Sequence, residues 1–307
     1  MKMKKIFFFA ALAAATVSMT SCNSDDETID NTPVEIRLSS TNAASGKTRS
    51  VNQSIQLTQF DASEKIGVFI NEHGGSSTTY PQPLEYTANG SGGMTPLAPQ
   101  YFPQSGNGVN IHAFYPFSAA SDLGTIEPFS IQTNQISEAN YKASDLMYGV
   151  PISNPVSRTS SSVQLTFEHL LSKINIELKA GNGNPTLVGS TVRLQSIRCA
   201  TTFDPSNGVI TAATGPSNEI VVMATNATLK GSAIIIPQTL ASGTTFIEVT
   251  LSTGVRLYYK LPAQTEFEGK KQYDYEITVN LTGLTVTSTI TPWDPVGSQT
   301  TGTAVMD

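Results

Sequence analysis

The second half of the chain reads as a succession of strands. Val163, Leu165 and Phe167 alternate with Gln164 and Thr166, and Ile174, Ile176 and Leu178 alternate with Asn175, Glu177 and Lys179. Alternation of period two marks a strand with one buried face and one wet face. The pattern continues through Val192 and Leu194, Ile220–Met223, Ala233–Ile236, Phe246–Leu251, and Val255, Leu257 and Tyr259. Tyr273, Tyr275, Ile277, Val279 and Leu281 form its longest run. Asn207-Gly208 and Ser252-Thr253-Gly254 fall between such runs, where hairpin turns belong. The first half is less regular. Val34, Ile36 and Leu38 alternate with Glu35 and Arg37, and Ile66–Ile70, Ile111–Phe117 and a short piece at Leu84–Thr87 are further strand candidates. Residues 71–108 are rich in Gly, Pro, Ser and Thr and read as loop-dominated. Strands at this spacing predict an all-β chain built from sandwich-type domains. The Ser/Pro-rich stretch 151–162 is the best boundary, giving domains at 34–158 and 159–307.

Composition supports the same class. Charged residues make up only 14% of the chain, with Ser, Thr, Asn and Gln in their place. Helices display Glu, Lys and Arg to solvent, whereas strands display Thr. The two cysteines, Cys22 and Cys199, lie in very different surroundings, so no disulfide framework is expected and the core must hold itself. Cys199 is expected as a small buried apolar residue.

The N-terminus reads differently from the rest. Lys2, Lys4 and Lys5 precede an apolar run from Ile6 to Val17, and Met19-Thr20-Ser21-Cys22 follows. A basic region, a short apolar region and small residues before a cut are the parts of a secretory signal. The run is about half of the ~20 residues a membrane span needs. The cysteine at the cut resembles a bacterial lipobox. The expectation is a signal at 1–21, acylation of Cys22, and a tether at 22–33 that carries Asp25, Asp26 and Glu27. That cluster reads as a solvated linker or as an address for export to the cell surface. Removing residues 1–21 leaves 286 residues and, with three lysines gone, moves the formal net charge from −6 to −9. An acidic balance argues against nucleic acid as a partner.

Catalytic chemistry has little to stand on. His73, His112 and His169 lack the spacing of a metal pair, no Gly-x-Ser-x-Gly elbow is present, and no glycine-rich loop opens a helix to cradle phosphate. The expectation is a protein that is not an enzyme and uses no cofactor or metal. His169 reads as a core-edge histidine with a satisfied hydrogen bond. Trp293 with Tyr258, Tyr259, Tyr273 and Tyr275 reads as core or as a sugar platform. Tyr80, Tyr86, Tyr101 and Phe102 mark the loop-rich region as the place for a ligand.

Several segments, in order, resemble the fimbrillin family of type V pilins and Mfa-like relatives, which are made as lipoprotein precursors. They are Lys47-Thr48-Arg49, Glu64-Lys65-Ile66-Gly67-Val68-Phe69, Ser144-Asp145-Leu146-Met147-Tyr148-Gly149, Phe167-Glu168-His169-Leu170-Leu171-Ser172-Lys173-Ile174, Ile236-Pro237-Gln238 and Ile290-Thr291-Pro292-Trp293. The resemblance implies two transthyretin-like β-sandwiches in tandem. It also implies an outer-membrane, surface-exposed precursor held by its lipid and cut by an Arg-specific protease in the loop after the first strand, here between Arg49 and Ser50. Arg37 competes as a site but sits mid-strand. The cut would free the strand of Val34, Ile36 and Leu38 and leave an edge that another pilin subunit's strand fills. The strand offered in return would carry Val286, Ile290 and Trp293. The competing function is an uncleaved surface lipoprotein that holds a glycan or host ligand.

Overall fold

The computed structural model describes residues 32–42, 60–75, 80, 82–119, 121–225, 228–293 and 303–305. Among them the chain is almost entirely strand. The first part holds β1 (Leu38–Asn42), β2 (Lys65–Glu72), β3 (Leu84–Ala88), β4 (Gly93–Pro96), β5 (Val109–Tyr115), β6 (Glu127–Ser130), the short helix α1 (Glu138–Ala143), β7 (Met147–Pro151) and β8 (Val163–His169). Seven of these strands close into a barrel in the order β1-β4-β3-β2-β5-β7-β8. The alternation in the sequence becomes burial here: along β8, Val163, Leu165 and Phe167 point into the barrel while Gln164 and Glu168 are exposed. Closure is made by β1, antiparallel to β4 and parallel to β8, with Leu38 opposite Val163 and Asn42 opposite Phe167.

The second part holds β9 (Ser172–Ala180), β10 (Thr191–Asp204), β11 (Val209–Ile210), β12 (Thr214–Ala224), β13 (Lys230–Ile235), β14 (Gln238–Leu240), β15 (Thr245–Thr250), β16 (Arg256–Lys260), β17 (Thr265–Phe267), β18 (Lys271–Asn280), β19 (Gly283–Pro292) and β20 (Thr303–Val305). One sheet runs β11-β10-β15-β16, with β12 and β6 also on β10. The other runs β13-β9-β18-β19-β20, and β14 and β17 form a ribbon. Ile174, Ile176 and Leu178 from β9 and Tyr273, Tyr275, Ile277 and Val279 from β18 meet Val192, Leu194, Phe246, Ile247 and Val249 in one core. Gly208, at φ 74° in the turn between β10 and β11, is the hairpin turn expected at Asn207-Gly208. Cys199 is buried and free.

The two cores part between Phe167, the last residue of the barrel cluster, and Leu170, where the second cluster resumes. The boundary expected at 158/159 therefore falls one strand before the break, because β8 completes the barrel. The segment between β5 and β7 also crosses over. β6 pairs with β10, and Ile131, Tyr141 and Leu146 belong to the second core. Leu281, read as the end of a buried run, lies beyond β18 and is exposed.

Gln135 ties the crossing segment down. Its side chain is fully buried, accepts from Ile234 N–H at 2.7 Å and donates to Ile234 C=O at 2.8 Å, so an amide side chain serves as a strand partner at the edge of β13. Gln135→Ala would strand both backbone groups of Ile234. The expected loss is roughly 1–3 kcal/mol, read as a lower urea midpoint with an unchanged slope.

Candidate subunit-assembly site

The expected first strand is longer than its sequence pattern. Its regular ladder covers Leu38–Asn42, and Val34–Arg37 form an extended lead-in. Phe102 N–H donates to Val34 C=O at 2.9 Å, Ile36 N–H to Gln100 C=O at 2.7 Å, Val163 N–H to Arg37 C=O at 2.8 Å and Ser40 N–H to Gly92 C=O at 2.7 Å. The segment is thus held along both edges. Ile36 and Leu38 are 0% and 3% exposed, Val34 is half-buried, and Arg37 pairs on the outside with Glu35. Burying side chains of this size stabilises by roughly 1.5–3 kcal/mol each. Ser40 continues the inward series and is 1% exposed, but its Oγ has no hydrogen-bond partner among the described residues. An orphaned buried hydroxyl costs about 1–3 kcal/mol.

Cys22, Arg49 and Ser50 lie outside the described residues, as do the signal segment and most of the tether. The chain is described again from Phe60, which is 1% exposed and packs edge-on to Phe167 at 4.8 Å between ring centroids and against Tyr115 at 5.3 Å. Asp61 next to it pairs with Lys142 of α1, which also meets Glu138 at 2.6 Å and Glu64 at 3.5 Å. Asn42, opposite Phe167 on β8, and Phe60, packed on the Phe167 ring, are thus two fixed points at the same end of the barrel. The helix was not legible as a hydrophobic period. Its signal is Ser137, whose Oγ accepts from Asn140 N–H at 3.2 Å as an N-cap.

Three of the segments that carry the family resemblance converge where barrel and second sheet pair meet. His169, ending β8, shares a 2.7 Å hydrogen bond through Nδ1 with Asp145, and both are buried. Trp293, just after β19, lies flat on the His169 ring at 4.0 Å between centroids and 8° between planes. The backbone N–H of Trp293 donates to Lys270 C=O at 2.8 Å. Lys173 of β9 is buried with its Nζ 6.0 Å from the centre of the Trp293 ring. Nearby, Tyr148 donates to Ser206 C=O at 3.0 Å and meets His112 Nδ1 at 2.8 Å, which links β7 and β5 to the turn after β10. Burial pushes the His112 imidazole down, against the Asp204 carboxylate.

The residues expected on a strand offered to a neighbour are instead built into this chain's own sheet. β19 pairs along its full length with β18, Val286 is 5% exposed and Trp293 2% exposed; Ile290 is on the surface. The aromatic patches also move inward: Tyr80, Tyr86 and Phe102 are barrel core and Tyr273 and Tyr275 sheet core, leaving Tyr101 and Tyr258 half-exposed. His73 lies in an exposed turn.

The model of a family described as fimbrillin-like matches residues 48–293. The chain belongs to the fimbrillin-like family. It is 28% identical over 312 residues to the "Putative fimbrium subunit Fim1C" of Bacteroides uniformis, covering 95% of this chain and 96% of that protein. Its fold is similar to the crystal structure of a "putative cell adhesion protein" from Bacteroides uniformis, with a TM-score of 0.66 at 22% identity over 84% of this chain and 98% of that one. A second protein so described, from Bacteroides ovatus, gives a TM-score of 0.65 at 20% identity over 87% and 99%. The tip fimbrial protein Mfa3 of Porphyromonas gingivalis gives 0.52 at 8% identity over 85% and 100%.

In this fimbrillin-like chain the match ends at Trp293, the residue that closes the buried junction, and it starts after β1. The junction has a titration signature. Burial pushes Lys173 from its ordinary 10.5 down to about 8, against the pull of the Asp145 and Asp274 carboxylates. Below pH 8 the ammonium is charged in both folded and unfolded chains. Between about 8 and 10.5 the folded chain has released a proton that the unfolded chain still holds, so stability rises with pH across that window. Thermal melts across it should show wild type gaining on Lys173→Met, and parallel melting curves at every pH would contradict this placement of the ammonium.

Proposed function

We propose that the chain is a subunit of a surface fimbrium that supports cell adhesion, made as a lipid-anchored precursor and assembled by strand replacement. The observation that carries this reading is β1. With its lead-in it is hydrogen-bonded on both edges and fills the barrel with Ile36 and Leu38, yet it lies before the family match, which begins at residue 48. A segment that closes the fold but lies outside the matched residues 48–293 is suited to removal. The name of the Bacteroides uniformis relative supports the fimbrial role.

In this reading Cys22 carries the lipid that holds the precursor at the outer membrane. An Arg-specific protease cuts between Arg49 and Ser50, leaving 258 residues from Ser50 to Asp307. Loss of the strand of Val34, Ile36 and Leu38 opens the barrel between β4 and β8 and uncovers two rows of backbone N–H and C=O groups beside an apolar groove. An extended strand from another pilin subunit restores both ladders and the buried area. Phe60 and the Asp61–Lys142 pair keep the remaining end of the cut loop in place.

Treating the chain with an Arg-specific protease should give an intact mass beginning at Ser50 and, on a non-boiled denaturing gel, a ladder of multimers. Arg49→Ala should stay uncut and monomeric. Assembly of Arg49→Ala as complete as that of wild type would sink the proposal.

A further inference from the structure

The inward face of the first strand runs Ile36, Leu38, Ser40. The first two match their apolar surroundings and the third does not. Ser40 stands level with Leu165 on β8, between Val163 and Phe167, all three buried. Its backbone N–H is used by Gly92 C=O, but its Oγ finds no acceptor or donor among the described residues. Buried polar atoms are nearly always paired, so each exception calls for a reason.

Other orphans do not have the same consequence. Tyr86 Oη is also without a partner, but it belongs to β3. β3 stays in the barrel whichever strand closes it, so its cost is the same before and after an exchange and cancels. Only a flaw in the strand that leaves shifts the balance between resident and incoming strands, because an equilibrium moves only by what differs between its two states.

We propose that Ser40 is a built-in weak point of β1, and that the strand which takes its place carries an apolar side chain at this inward position. The proposal rests on the strand-replacement reading above and adds the chemistry of the partner: an extended segment of another subunit with apolar residues at three alternate positions, in register with Ile36, Leu38 and Ser40. The resident strand satisfies two of the three. It holds the precursor closed while covalently attached, and once the loop is cut it loses to a strand that satisfies all three.

The test uses the full chain cut after Arg49 and two synthetic peptides. One has the sequence of residues 33–42, and the other is the same peptide with the Ser40→Val change. Each competes with the resident fragment, and bound peptide is read by mass after gel filtration. The Val peptide should occupy the groove on the order of tenfold more tightly, which corresponds to about 1.4 kcal/mol. A full chain carrying Ser40→Ala, which deletes only the oxygen, should melt at a higher temperature before cutting and hold its own fragment about tenfold longer after it. Peptides that enter with equal affinity would overturn the weak point and leave strand replacement standing. A resident fragment that never leaves, with neither peptide entering, would overturn both. A Ser40→Ala chain that melts at or below wild type would show that the hydroxyl is not a cost.

Discussion

A strand in the wall of a barrel is held by two ladders at once, and the position of β1 between β4 and β8 sets the terms for the rest of the first core. With it in place, seven strands have no free edge. Without it, β4 and β8 each present a row of unpaired backbone groups, and the pockets that held Ile36 and Leu38 open to water. A side chain can answer the groups of one residue, as Gln135 does for Ile234, but two whole rows call for another extended backbone. The fold therefore depends on an extended backbone in that position.

The second constraint is the junction. Asp145, His169, Lys173 and Trp293 come from three segments, two of the residues before the break between the cores and two after it, and they are buried together. The Asp145–His169 hydrogen bond and the Trp293 ring laid on it join the end of β8 to the end of β19. The crossing segment with β6 and Gln135 adds a second bond between the halves. The Trp293 ring on His169 is the contact of this cluster that spans the break, and burial of both rings fixes how the two parts meet.

Much of this was legible in the sequence where one rule dominated. Alternation located β8, β9 and β18 because each has one apolar face along its whole length. It failed at Glu127–Ser130, whose burial is shallow and whose partner β10 lies far along the chain, so the interleaving of the halves stayed hidden. Tyr80, Tyr86 and Phe102 sit among Gly and Pro residues and read as a loop patch, yet they fill a barrel whose strands are too short to show a period. Trp293 carried a correct signal of importance but not its place, because the His169 ring it covers is more than a hundred residues away. The orphaned hydroxyl of Ser40 had no sequence signature at all. A serine in a strand is ordinary, and only the three-dimensional surroundings reveal that nothing answers it.

Only Leu170 and Leu171 separate β8, which pairs with β1, from β9, which lies inside the second sheet between β13 and β18. A pull on whatever strand lies beside β8 acts along that strand's axis, so its ladder is loaded in shear and its bonds must yield together rather than one after another. The tension then passes by covalent backbone into β9, where flanking strands on both sides share the load. The two cores are joined in series, like links under traction.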